Sequence, residues 1–104
     1  MTAFVVFLRE ETTDPAALEE YSARVGASFE GHEVKFLADY GEIETLEGDE
    51  VEGAVIIEFP DMDTARAWYL SPEYQATAQY RFDGARYRGF IVDGQLSGLS
   101  TLQF

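Results

Sequence analysis

The chain has 104 residues, 46% of them apolar and 14% aromatic, with 20 acidic and seven basic side chains, one histidine and no cysteine. Such a length gives one domain with one core, and eight Phe, six Tyr and one Trp exclude a disordered acidic tail. A formal charge of −13 lacks the basic footprint that nucleic acids and anionic membranes require, and the missing cysteine excludes disulfides and thiolate chemistry.

Ala3-Phe4-Val5-Val6-Phe7-Leu8 is β-branched and aromatic, and predicts a strand that is apolar on both faces. No basic region precedes it, and Arg9, Glu10 and Glu11 follow at once. The run is too short for a signal-peptide core or a membrane span, so cytoplasm is the expected location. Thr13-Asp14-Pro15 predicts a capped helix start. Leu18, Tyr21, Val25 and Phe29 form one helical stripe, with Gly31 as the terminator. Val34 to Tyr40 is the second expected strand, extended by Ile43 to Leu46 beyond a bulge at Gly41.

Glu47 to Glu50 is a loop, and Ala54 to Phe59 a third strand, apolar on nearly both faces and stopped by Pro60. Asp61 caps a second helix that carries Met62, Ala65, Trp68 and Tyr69 inward. That helix restarts at Ser71-Pro72 and runs to about Arg81. Arg86 to Asp93 is the fourth strand. The domain is expected over residues 1–94, with a tail over 95–104.

The order β-α-β-β-α-β, with long outer connections and a short middle one, predicts an α+β ferredoxin-like sandwich with an antiparallel four-stranded sheet. Two helices cover only one face of such a sheet. Strands 1 and 3 do not alternate: Phe4, Val6 and Leu8 oppose Val5 and Phe7, and Val55, Ile57 and Phe59 oppose Ala54 and Ile56. Both faces should therefore be dry. A wet second face would expose more apolar surface than monomers tolerate, and a C2 contact with a second copy is the commonest remedy. The expectation is a homodimer through the sheet face. The competing cover, a folded-back tail, has too few residues.

The stretch Phe59-Pro60-Asp61-Met62-Asp63-Thr64-Ala65-Arg66-Ala67-Trp68-Tyr69-Leu70-Ser71-Pro72-Glu73-Tyr74-Gln75 follows the strand Val55-Ile56-Ile57-Glu58-Phe59-Pro60. It resembles the signature of domain of unknown function 1330, as do the Asp14-Pro15 helix start and the Leu46-Glu47-Gly48-Asp49 loop. The resemblance spans about residues 3 to 94. It implies the dimeric α/β-barrel superfamily, with a ferredoxin-like protomer and face-to-face dimers. Relatives in that superfamily include cofactor-free monooxygenases, isomerases and dehalogenases of small ring compounds. Members of the family usually carry His-Gly-Gly after helix 1, where this chain has His32-Glu33-Val34.

His32, the only histidine, is a candidate general acid or base, or a C-terminal helix cap. Glu58 is the only charge in an apolar strand. It is either an active-site carboxylate, or the partner of Arg9, Lys35 or an arginine of a second copy, or simply exposed near the strand end. Trp68, Tyr69 and Tyr74, with Tyr40 opposite, either wall a pocket or serve as plain core. Arg66 is a candidate for a substrate carboxylate. Arg81, Arg86 and Arg88 form the sole basic cluster, assigned first to pairing with acids and second to a subunit contact or an anionic ligand. The acidic run Glu42 to Glu52 lacks Ca²⁺-loop spacing and reads as a solvated loop.

With one histidine and no cysteine, the usual zinc and haem sites are not expected. No P-loop, dinucleotide glycine motif or serine-nucleophile motif occurs. The sequence thus predicts a homodimer without cofactors that binds a small organic molecule, with His32 and Glu58 exchanging protons if it is an enzyme. The alternative is a non-enzymatic structural or regulatory interaction module.

Overall fold

The structure, a computed structural model, describes residues 2–94; the tail expected over 95–104 lies outside the described residues. Strand β1 (Ala3–Thr12), helix α1 (Pro15–Val25), β2 (Lys35–Asp39), β3 (Gly53–Phe59), α2 (Met62–Tyr69), α3 (Pro72–Gly84) and β4 (Ala85–Asp93) follow in that order. The sheet runs β2-β3-β1-β4 with every neighbouring pair antiparallel. This is the ferredoxin-like α+β sandwich, with its helices on one face.

Local chemistry starts and stops each helix. The Asp14 carboxylate accepts the Ala16 N–H, and Pro15 opens α1 where its missing N–H is harmless. A short 3₁₀ turn, Gly26–Phe29, keeps Phe29 on the stripe begun by Leu18, and Gly31 turns the chain at a φ of +80°. Asp61 and Thr64 form a capping box on α2. The Ser71 hydroxyl accepts the Tyr74 N–H at the head of α3, so the expected restart divides two helices.

Two expectations are corrected. Ile43 to Leu46 forms no strand, and the irregularity in β2 lies between Phe36 and Ala38 rather than at Gly41. The cause is Tyr40, whose φ of +57° takes the chain off the ladder at the sheet edge. The segment beyond therefore has no strand to pair with, whatever its hydrophobicity.

Burial alternates residue by residue along the inner strands. Ala3, Val5 and Phe7 of β1 and Val55, Ile57 and Phe59 of β3 are buried against Tyr21, Ala65, Trp68, Tyr74 and Ala78 of the helices. Their neighbours point the other way and are half-buried. On that open face the register lines up Phe90, Val6, Ile56 and Ala38 in one row. A second row holds Val92, Phe4, Glu58 and Lys35, and Arg88 stands beside Leu8. Phe90 is 48% exposed and Val92 45%. The double-sided apolar strands are as the sequence predicts, and among the described residues helices cover only one side.

Candidate functional site

A cavity of about 720 Å³ opens on the helix side, between α3 and β4. Its size falls in the range of small-molecule sites. Phe7 of β1 and Tyr69 of α2 line it, with Arg81 and Phe82 of α3 and Tyr87 and Gly89 of β4. The helix-side positions of β4 run Tyr87, Gly89, Ile91, in register with Arg9, Phe7 and Val5. Gly89 contributes no side chain, and a Cβ there would stand 2.7 Å from the Phe7 ring. The glycine thus lets Phe7 tilt across and leaves space above β4.

Arg81 is the unusual member of the wall. It is only 4% exposed, in the last turn of α3, where the helix dipole favours a cation. Its guanidinium carbon lies 4.4 Å from the centre of the Phe7 ring, 4.8 Å from Phe82 and 4.9 Å from Tyr87. Its Nε donates to Tyr74 Oη at 3.2 Å, and Tyr74 Oη shares a hydrogen bond of 2.9 Å with Tyr21 Oη. Burial pushes the Tyr21 hydroxyl far up from its ordinary pKa, with Tyr74 adding to the effect. Burial also raises that of Tyr74, against the pull of Arg81. Both phenols stay neutral, so the chain fixes one edge of the guanidinium without an anion.

A second tyrosine pair borders the same space. Tyr40 lies across the helix side of the sheet and its hydroxyl shares a hydrogen bond with that of Tyr87. Its ring passes over Gly53, where a Cβ would stand 2.6 Å away. Arg9 sits 5.0 Å from the ring centre. Arg9 pairs with Glu52 at 3.1 Å, and the Thr12 hydroxyl donates to the same carboxylate oxygen at 2.7 Å. Thr12 first, then Arg9, holds the Glu52 carboxyl below the usual carboxylate range. Burial, then the bond to Tyr87, pushes the Tyr40 hydroxyl up.

The sequence candidates are distributed as follows. Trp68 and Tyr74 are wholly buried behind the cavity wall, their ring centres 4.1 Å apart, and Trp68 Nε1 donates to Ser28 Oγ at 3.1 Å. Tyr40 reaches the wall through Tyr87. Arg66 stands exposed on α2 and pairs with Asp63 at 2.7 Å. His32 is half-buried at the joint before β2, and its backbone N–H donates to the Phe29 carbonyl at 3.0 Å. Glu58 is half-buried on the open face, in register with Phe4 and Lys35. Neither His32 nor Glu58 lines the cavity.

The basic cluster separates. Arg81 is inside, Arg86 pairs with Glu11 at 3.3 Å at the cavity rim, and Arg88 lies on the open face beside Leu8. The signal for Arg81 was its helical spacing from Tyr74, Thr77 and Ala78, all buried, which puts its stem on the inner face. Among the described residues no three His, Asp or Glu side chains converge as a metal ligand set, and no helix is long and apolar enough to cross a membrane.

The family model for a domain of unknown function, DUF1330, matches residues 2–95. The chain belongs to the DUF1330 family. A search of curated proteins returns no significant match. Solved structures similar to this DUF1330 chain include RPA0582, a protein of unknown function from Rhodopseudomonas palustris. It is 16% identical with a TM-score of 0.69, over 92% of this chain and 84% of that one. SnoaB, a cofactor-independent oxygenase from Streptomyces nogalater, is 17% identical with a TM-score of 0.59, over 95% and 97%. A dimeric ferredoxin-like protein of unknown function from Thermobifida fusca is 15% identical with a TM-score of 0.61, over 89% and 91%. At these identities the likeness is one of fold.

Proposed function

We propose that the chain forms a homodimer through its open sheet face and binds a small organic molecule in the cavity between α3 and β4. The cavity carries the binding reading: about 720 Å³, walled by aromatic rings with a guanidinium and a phenol among them. The apolar row Phe90, Val6, Ile56 and Ala38 supports the dimer, because pairing with a second copy would take this apolar surface out of water. A dimer is also what the Thermobifida fusca protein is described as forming.

In its catalytic version the protein is a cofactor-independent enzyme, a chemistry that the same fold carries in SnoaB. The proton carriers proposed for that version are His32 and Glu58, and because neither lines the cavity they would act at a separate site. Glu58 stands on the face that the second copy covers, so its share depends on the dimer. Unchanged turnover in both His32→Ala and Glu58→Gln, for any substrate found, removes those roles.

The test is a screen of small cyclic compounds by thermal shift, since a ligand bound only to the folded state raises its stability. Amide resonances of Tyr87, Gly89 and Ile91 should move on binding, and that of Ile56 on the open face should not. A screen without a stabilising compound, or shifts confined to the open face, overturns the cavity reading. Sedimentation should report twice the 11.7 kDa chain mass. A monomer at that mass instead favours the second reading, a protein-interaction module whose apolar face meets a different partner.

A further inference from the structure

We propose that the cavity selects a flat organic carboxylate and that Arg81 is its counter-charge. The inference rests on the cavity reading above and names the ligand class for it.

A guanidinium that is 4% exposed has lost most of its water, and such a charge demands a partner. The four ion pairs among the described residues engage Arg9, Arg24, Arg66 and Arg86. Arg81 has none. Three ring faces offset part of its desolvation, but rings do not accept the N–H groups in their plane. Tyr74 occupies Nε. Among the described residues that bond to Tyr74 is the only hydrogen bond of the Arg81 side chain, and Arg81 lines the cavity. Paired N–H donors on a planar fork fit the two oxygens of a carboxylate.

The rings decide the rest of the ligand. Phe7 and Tyr87 meet edge to face, 6.4 Å apart and at 85°, and the Phe82 ring adds a third aromatic surface 4.8 Å from the guanidinium carbon. A flat unsaturated or aromatic body fits between such surfaces. The charge of −13 opposes an anion only at long range. Charges beyond about 8 Å are largely screened at physiological ionic strength, whereas Arg81 meets the ligand directly and Arg86 stands at the rim.

The experiment uses the full chain and a matched series: benzoate, cinnamate and 2-naphthoate against the corresponding primary amides, by calorimetry. Each pair has nearly the same shape and differs in charge. A hydrogen-bonded charge pair predicts that the best carboxylate binds about 10- to 100-fold tighter than its amide. Its binding should also move the Arg81 Nε–Hε resonance. Arg81→Gln should abolish that preference. If Arg81→Gln does not fold, the wild-type series decides alone. Amides that bind as tightly as acids overturn the counter-charge and leave the cavity reading standing. A series in which no member binds overturns both.

Discussion

The inner strands give both faces of the sheet the same apolar residue types, and the two faces reach opposite ends. On the helix side Val5, Ile57 and Phe59 are almost fully buried. On the other side Val6 and Ile56, from the same strands, stay half-buried, and Phe90 beside them is 48% exposed. Composition marks both faces as dry, but only topology decides which one the chain closes by itself. Along β4 the helix side is incomplete as well. There Gly89 supplies no side chain and the gap is a pocket with a buried cation, whereas the open face is a broad surface with an apolar row flanked by Glu58, Lys35 and Arg88. A concave gap suits a small molecule, and a broad apolar surface suits a second protein.

The sharpest way to break this contrast is to remove the centre of the helix side. Trp68 is wholly buried, stacked on Phe29 at 4.9 Å and close to Tyr74. Trp68→Ala should lose about 3–5 kcal/mol of unfolding free energy, read from denaturant titration. A loss below about 1 kcal/mol would mean that the core lies elsewhere. The matching perturbation of the open face is Val6→Asp. It places a carboxylate in the apolar row once per copy, so the proposed dimer carries two. The dimer dissociation constant should rise at least about 100-fold, as expected for charges buried without partners. The protomer, in which Val6 is only half-buried, should keep its helical content. Sedimentation across a concentration series checks both statements, and a Val6→Asp protein that remains dimeric moves the interface off this face.

Alkaline pH separates the faces without mutation. All six tyrosines sit in helices, on the helix side or in the chain leaving β2, and the strand positions of the open face hold none. Tyr21 and Tyr74 ionise at an ordinary pKa of 10.0 in the unfolded chain and higher when folded. The folded state thus holds protons that the unfolded state has released. Stability is complete below pH 10 and falls as pH rises toward the folded values, by roughly 1.4 kcal/mol per pH unit for each of these two tyrosines. Denaturant midpoints at pH 9, 10 and 11 measure the slope, and Tyr21→Phe should flatten it. An undiminished midpoint at pH 11 contradicts the burial of the Tyr21–Tyr74 pair.

The sheet was legible because its cause is local. Apolar residues at consecutive positions in β1 and β3 point to opposite sides by strand geometry, so both greasy faces follow from the order Phe4-Val5-Val6-Phe7 alone. The failure at Ile43 to Leu46 is not local: whether a β-like segment pairs depends on a neighbour strand, and the left-handed turn at Tyr40 removes it. The cavity was the least legible feature. It comes from a missing side chain at Gly89, in the gap between α3 and β4, which leaves no periodic trace. Arg81 did leave one, in its spacing from Tyr74 and Ala78. Its membership of a run of arginines in an acidic chain outweighed that spacing and pointed to surface pairing.

The smallest expected effect concerns the hydroxyl that joins the two edges of the sheet. Tyr40 leaves the β2 edge and meets Tyr87 on β4 at the opposite edge. Tyr40→Phe keeps the ring over Gly53 and removes only that contact. Were the partner sealed in the core, an unsatisfied phenol would add its full desolvation penalty. Tyr87 instead lines the cavity and can turn to water there. The loss should therefore stay at about 0.5–1.5 kcal/mol, well under that of Trp68→Ala. The freed Tyr87 hydroxyl also becomes available to a bound carboxylate, so ligand affinity should hold or improve while stability falls. Calorimetry with 2-naphthoate on Tyr40→Phe reads the two effects separately. A stability loss as large as that of Trp68→Ala would make the tyrosine pair part of the sealed core, and the cavity would then have to end short of Tyr87.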